Sequence, residues 1–331
     1  MSEGNNGLQN HGNTCYLNSA IQCLSHIDVL NNNNFKNQII KYKKNRTPLI
    51  NEWMDIQNKM WSSGYTDIIS LMTLIEIFKQ KCISTGRYFE SFEQNDASEF
   101  LNYFLDFLHD EIAHTVTMTI QGEPKNTLDK FYYNNWKVQE KHFKKKYSYI
   151  IEQFYSSLLS LTQCPSCNKR TDNHEPISII TLTLMREFNS FYDCIDEYVK
   201  KISLDDDNKF KCEKCNESVN LDKKTHFWDL SPILIFLIKK YNVNGVFDNS
   251  IQYHIKLDMN NYCINYKENS MEYELSGIII HTGSLGGGHY YSICKNENDN
   301  KWYKYDDANV SNIDEDNLFN SNPYCLFYKR V

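Results

Sequence analysis

Two hydrophobic periodicities divide this chain, and together they restrict its fold more than any other feature. Up to about residue 113 apolar residues recur at helical spacing. Leu17, Ile21, Leu24, Ile27 and Leu30 do so after Cys15, "IISLMTLIEIFKQ" (68–80) is similar, and Phe100, Leu101, Phe104, Leu105 and Leu108 share one face of "DASEFLNYFLDFLHDEI". From about residue 150 the segments are short, β-branched and aromatic, as in "ISIITLTL" (177–184), "PILIFLIKKY" (232–241), "IQYHIKL" (251–257) and "YELSGIIIHTG" (273–283). A run of helices followed by a run of strands predicts the α+β class. The asparagine-rich pieces "NNNNFKN" (31–37) and "NENDN" (296–300) read as solvated loops. With no internal repeat and no long linker, the lobes are expected to share interfaces within one unit.

No stretch reaches the roughly 18 apolar residues of a membrane span. "PILIFLI" is followed at once by Lys239 and Lys240, so no membrane partner is expected. The opening "MSEGNNGLQN" has neither the basic start nor the apolar segment of a secretory signal, and an intracellular location, cytoplasmic or nuclear, is expected. Thiols stay reduced there. The 11 cysteines, an odd number with two C-x-x-C pairs, then read as metal ligands, a catalytic thiol and small buried residues. A net charge of −7 makes nucleic acid an unexpected partner and suits a basic protein surface better.

Cys15 stands at the start of an apolar helical run, where unpaired N–H groups and the helix dipole lower a thiol pKa. Asn13 or Thr14 can cap that helix, and Gly12 permits a close backbone approach. The Asn10 side-chain amide can reach the same spot as the Cys15 N–H, as an oxyanion hole requires. A lone cysteine is nonetheless more often a buried structural residue, and Cys23, in mid-helix, has nothing to lower its pKa.

A catalytic thiol also needs a base and an acceptor to orient it. Among 10 histidines, His289 follows the glycines of "SLGGG" (284–288) and precedes two tyrosines, which combines close backbone access with a rigid strand. His281 reads as a packed strand residue, and His11 as part of a turn. Downstream, Asp306 and Asp307 lie near enough for a hairpin to bring one beside the imidazole, although aspartates also end strands. Asp96 and Glu99 have capping-box spacing. "CPSC" (164–167) and "CEKC" (212–215) each offer two thiolates from a tight turn, the form of a zinc-ribbon knuckle, with unmetallated turns as the alternative.

"GLQNHGNTCYLNSAIQCL" (7–24) closely resembles the cysteine box of the ubiquitin-specific proteases, GLxNxGNTCYxNSxLQxL. Residues 273–311, with "GGGHYY" and "KWYKYDD", resemble that family's histidine box. "FEQNDASEFL" (92–101) resembles its QQDAxEFL segment with Asn95 in place of the second glutamine, and "LSPILIFLIKKYN" (230–242) resembles LPPxLxxxLKRF with a divergent end. The resemblance implies a papain-like α+β cysteine protease of one catalytic domain: a helical thumb at about 1–113, zinc-tipped fingers at 150–228, and a palm from 114–149 and 229–331. It implies a deubiquitinase acting after the terminal glycine of ubiquitin or polyubiquitin. Cys15 would be nucleophile, His289 base, Asp306 its orienting carboxylate, Asn10 the oxyanion donor, and Asp307 an auxiliary or a substitute for Asp306. Asp96 and Gln94 would meet the ubiquitin tail, and Cys164, Cys167, Cys212 and Cys215 would hold one structural zinc. A protease for another ubiquitin-like modifier and an inactive ubiquitin-binding scaffold are the alternatives.

Overall fold

Every residue of helix α1 (Cys15–Ser25) is buried, which is why its polar positions are as restricted as its apolar ones. The asparagine run expected as a loop instead starts helix α2 (Asn33–Tyr42). Asn32 accepts a hydrogen bond from Phe35 N at 2.9 Å, and Phe35 and Ile39 are buried one turn apart. Helix α3 (Pro48–Met60) opens on a proline, whose missing N–H costs nothing there, and buries Trp53, Ile56 and Met60. Helix α4 (Met72–Ser84) begins four residues after the expected Ile68. Ile69 is instead tied to the N-terminal segment, Ile69 N donating to Gly7 O (3.0 Å) and Gln9 N to Ile69 O (2.9 Å). Helix α5 (Ala97–Ile112) buries the predicted stripe and completes a helical lobe around Trp53, Phe78 and Phe104. The computed structural model describes residues 3–44, 47–90, 93–204, 209–242, 245–246, 251–265, 270–284 and 287–331.

Strand β1 (His114–Thr115) pairs with β2 (Lys146–Tyr147), and between them lies helix α6 (Thr127–His142), which the sequence pattern did not signal. Helix α7 (Tyr149–Phe154) then leads into β3 (Ser156–Gln163), β4 (Arg170–Ile177), β5 (Ile179–Thr183), helix α8 (Phe191–Val199), β6 (Ile202–Ser203), β7 (Phe210–Lys211), β8 (Ser218–Val219) and β9 (Asp222–Asp229). Four of these form a sheet in the order β4-β3-β9-β6. The C-x-x-C turns follow β3 and β7, at one end of that sheet. Strand β5, within 150–228, pairs in parallel with a strand of the larger sheet.

That larger sheet uses β10 (Ile233–Lys239); β11 (Tyr241–Asn242) and β12 (Gly245–Val246) pair with each other beyond it. It continues with β13 (Lys256–Asp258), β14 (Glu272–Ser284), β15 (Gly287–Asn296), β16 (Lys301–Asp306), β17 (Asn309–Ile313) and β18 (Pro323–Arg330), in the order β17-β16-β15-β14-β18-β10-β5, with β13 on β14. Both faces are buried. Ile235, Ile279, Cys325 and Phe327 meet the helical lobe, while Leu234, Phe236, Ile278, Ile280, Leu326 and Tyr328 form a second core on the other side. Such two-sided burial explains the unbroken apolar runs. Each fully buried Leu, Ile or Phe side chain contributes about 1.5–3 kcal/mol to holding the sheet between the two cores. The expected strand at "IQYHIKL" is reduced to Lys256–Asp258, because Ile251 and Tyr253 are buried in irregular chain whose Gln252 backbone bonds to Asn189 and Phe191.

Candidate active site

The nucleophile candidate sits where a strained turn feeds a buried helix. Gly12 (φ +96°) and Asn13 (φ +52°) are both left-handed, and a Cβ on Gly12 would meet open space. The glycine therefore serves conformation and not the close approach the sequence suggested. Thr14 is the N-cap residue, but its hydroxyl makes no cap bond; it donates to Asn10 Oδ1 (3.2 Å) and accepts from His11 N (3.0 Å). Cys15 is buried against β15, with the Tyr290 N–H directed at its thiol. Burial raises the thiol pKa above its ordinary value, and the Asp307 charge adds to this; the N–H groups of Tyr290, Tyr16 and Cys15 oppose it without prevailing. The helix start lowers the pKa as expected, but desolvation by burial wins.

His289, one residue before Tyr290, lies on β15, and its Nε2 is 2.6 Å from Asp306 Oδ1 at the end of β16. Lys304 Nζ approaches the other oxygen, Oδ2, at 2.9 Å. Burial pushes the Asp306 carboxyl up, yet the bonds from His289 and Lys304 outweigh it and hold the group below the usual carboxylate range. Asp307 turns the opposite way, with φ +51°. Its Oδ2 accepts from Asn10 Nδ2 and its Oδ1 from Asn18 Nδ2, both at 2.8 Å. Asn10 Oδ1 accepts from Gly12 N (2.9 Å) and Thr14 N (3.3 Å), so the orientation of that amide is fixed. The adjacent aspartates thus serve different partners, one the imidazole and one the Asn10 amide. Sequence reasoning missed Asn18, although it stands one turn after Cys15 on the same helix. His11 points away, to Ser70 Oγ at 2.9 Å.

Cys15 opens into a cleft of about 350 Å³ whose walls include Gln94, Asp96, Leu237, His281, Gly288 and Tyr324. Asp96 caps α5 through Oδ1, which accepts from Ser98 N (2.7 Å) and Glu99 N (3.2 Å), while Oδ2 accepts from the Tyr324 hydroxyl. Only half of the expected capping box is present in the bonds made, because Glu99 instead accepts from Tyr103 OH at 2.7 Å. Gln94 is exposed and faces Gly287. A Cβ on Gly288 would stand 2.3 Å from His281 Nε2 and 2.5 Å from Thr282 O, so this glycine keeps the cleft wall thin. His281 itself packs on Tyr290, with ring centroids 4.4 Å apart. Leu285 and Gly286 of the glycine-rich segment lie outside the described residues.

The four C-x-x-C sulfurs lie within 4.8 Å of one another and can hold a metal ion. Cys164 and Cys215 Sγ are 3.8 Å apart, Cys167 and Cys212 Sγ 3.6 Å. A tetrahedral site with metal–sulfur bonds of about 2.3 Å needs sulfurs roughly 3.8 Å apart, which these pairs fit. The two turns have matching geometry. Asn168 and Asn216 are left-handed, and their N–H groups donate to Cys164 O (2.9 Å) and Cys212 O (2.7 Å). Bonds from the Cys215 and Lys214 N–H groups lower the Cys212 thiol to about 6, favouring the thiolate a metal needs.

The family model for ubiquitin carboxyl-terminal hydrolase matches residues 6–328. The chain belongs to this family. It is 28% identical to ubiquitin carboxyl-terminal hydrolase Usp2 of Drosophila melanogaster over 100% of this chain and 35% of that protein. It is 25% identical to human ubiquitin carboxyl-terminal hydrolase 2 over 99% of this chain and 55% of that protein. A probable ubiquitin carboxyl-terminal hydrolase of Acanthamoeba polyphaga mimivirus is 25% identical over 99% of this chain and 91% of its own length. The chain thus spans between about a third and a half of the fly and human relatives. In fold it is similar to the Ubp8-containing SAGA DUB module bound to monoubiquitin, with a TM-score of 0.76 at 23% identity over 99% of this chain and 69% of that one. The thumb, palm and fingers class expected from the sequence is the fold of this chain. Among the described residues no helix is long and apolar enough to cross a membrane.

Proposed function

We propose that this hydrolase is a thiol-dependent deubiquitinase that cleaves the peptide or isopeptide bond after the terminal glycine of ubiquitin. The observation that carries the reading is the His289 imidazole locked 2.6 Å from Asp306, on a strand whose next residue, Tyr290, lines the same cleft as the buried Cys15. Because burial keeps Cys15 protonated in the free protein, His289 takes the thiol proton as the sulfur attacks the glycine carbonyl. Asp306, ionised and fixed by Lys304, holds the imidazole in the tautomer that can accept that proton. Asn10 Nδ2, aimed by Asp307, and the backbone N–H groups at the helix start stabilise the oxyanion. The imidazolium returns its proton to the leaving amine, and water delivered by the same base splits the thioester.

Substrate choice follows from the cleft. Gly288 adds no side chain to the cleft wall that it shares with Cys15, which leaves room for the backbone of a slender Gly-Gly tail. Exposed Asp96 and Gln94 line its approach and suit a basic tail. The structurally similar module holds monoubiquitin, in support of that substrate. The cysteine cluster would hold one zinc ion through Cys164, Cys167, Cys212 and Cys215, fixing the tip of the fingers within about 150–228. The helical thumb would span about 1–113, and the palm 114–149 and 229–331. Reaction with ubiquitin carrying a C-terminal electrophile tests the reading. Wild type should gain one ubiquitin mass and Cys15→Ala none; an unmodified wild type, with folding confirmed, removes the proposal.

A further inference from the structure

Helix α6 lies outside the cleft, and none of its sixteen residues is fully buried although it carries Phe131, Tyr132, Tyr133, Trp136 and Val138. One flank rests on the fingers sheet: Phe131 and Tyr132 meet the Trp228 ring at 6.1 Å each, and Asn134 Nδ2 donates to Asp172 Oδ2 at 2.8 Å. The next face is only half covered. Trp136 and Phe143, together with Val116, Met118, Tyr147 and Ile151, line a groove of about 60 Å³ between the helix and the β1–β2 ribbon. Met118 is 57% exposed and Ile120, two residues on, 43%. Beside this apolar stripe runs a basic one. Lys137, Lys141 and Lys144 recur at helical spacing, and Lys145 and Lys146 follow, in a chain whose net charge is −7. Among the described residues a single carboxylate answers them within 4 Å, Glu140 at 3.8 Å from Lys145. Lys144 and Lys145 are held at φ +52° and +60°, an uncommon backbone for two consecutive side-chain-bearing residues, and the Lys145 carbonyl is anchored by Val116 N at 2.9 Å. Lys145 and Lys146 thereby line the groove, with Lys141 and Lys144 just before them in sequence.

The geometry points to a docking site for an acidic peptide segment of another protein, with an aliphatic or aromatic anchor in the Trp136–Phe143 groove and carboxylates on Lys141, Lys144, Lys145 and Lys146. Charge complementarity selects the acidic partner, since this rim is a basic island on an acidic molecule. The groove selects a peptide over a bare polyanion, because phosphates have no use for an apolar slot walled by tryptophan and methionine.

Fluorescence anisotropy of a labelled twelve-residue peptide of glutamates with two central leucines and a phenylalanine, on the full chain, tests this. Micromolar binding is expected, weakened at least tenfold by the triple variant Lys144→Glu, Lys145→Glu, Lys146→Glu and, independently, by Trp136→Ala. An all-glutamate peptide should bind at least tenfold more weakly. Circular dichroism checks that the variants stay folded, and amide exchange of wild type with and without peptide should show protection at 136–146. The site is overturned by absent binding at 100-fold molar excess, by binding indifferent to Trp136→Ala, or by tighter binding of heparin or phosphatidylserine vesicles than of the anchored peptide.

Discussion

Asp307 is bracketed by two donors, and that arrangement leads to a sharp expectation for Asp307→Asn. Asn10 cannot turn its amide, because Oδ1 already accepts from Gly12 N and Thr14 N, so only an N–H faces residue 307. Asn18 also presents Nδ2, which bonds both Asp307 Oδ1 (2.8 Å) and Gln9 O (3.3 Å), while its buried Oδ1 has no hydrogen-bond partner. Turning Asn18 over would set an oxygen against Gln9 O. An asparagine at 307 therefore confronts an N–H with an N–H at one end, whichever way it is placed. A hydrogen bond to a charged group is worth about 1.5–3 kcal/mol, and the exposure of Asn10 places this one near the lower bound. If that amide is the oxyanion donor, the loss appears in the transition state as roughly tenfold in kcat, with KM little changed. Cleavage of ubiquitin with a fluorescent C-terminal leaving group measures this, and Asn10→Ala combined with Asp307→Asn should be no worse than the poorer single variant. A kcat for Asp307→Asn within twofold of wild type would refute the reasoning.

Other expectations follow from the same geometry. Gly288→Ala places a methyl group against Thr282 O, a backbone atom that cannot retreat, so stability should fall by about 1–3 kcal/mol and kcat/KM more than tenfold; wild-type melting and kinetics would exclude the contact. Cys212→Ser should remove the metal found by elemental analysis and speed amide exchange over the fingertip strands while β14 and β15 stay protected; a metal-free wild type with a protected tip would contradict it. His26, buried between the Gln22 carbonyl (2.8 Å) and the Tyr305 hydroxyl (2.8 Å), is lowered by burial to about 4 from 6.5. Below pH 6.5 the unfolded chain binds a proton that the folded one refuses, so full stability above that pH should decline by about 3 kcal/mol as the pH falls to 4. Proton NMR should show the imidazole titrating near 4, and a midpoint above 6 is inconsistent with that burial.

The residues proposed to act at the thiol were legible where a compact run carries them, as with Cys15, the glycines before His289 and the paired aspartates. What stayed hidden depends on contacts made across the chain. The Tyr324 hydroxyl bond to Asp96 joins residues 228 positions apart, and nothing near either residue encodes it. The Cys15 thiol departs from expectation for the same reason: the local N–H groups lower its pKa, but burial in the folded chain raises it by more. Composition misled at "NNNNFKN", because asparagine favours loops and N-caps alike and only the buried spacing of Phe35 and Ile39 separates the two. Helix α6 escaped because it buries no residue fully, and periodicity marks burial, not helicity. "IQYHIKL" has strand-like residues but lacks a partner for most of its length, and pairing makes a strand.

The bond between Asn10 and Asp307 spans 297 positions, and Leu8 N adds another to the Asp307 carbonyl at 2.8 Å. A ribosome exposing the first helices presents Cys15 without its base, without the strand that buries it and without the carboxylate that aims its amide. If Cys15 and His289 act as proposed, the nascent chain is catalytically silent until residues 289–307 have emerged and docked. On the proposed mechanism, topology alone ties the onset of activity to the emergence of these late strands.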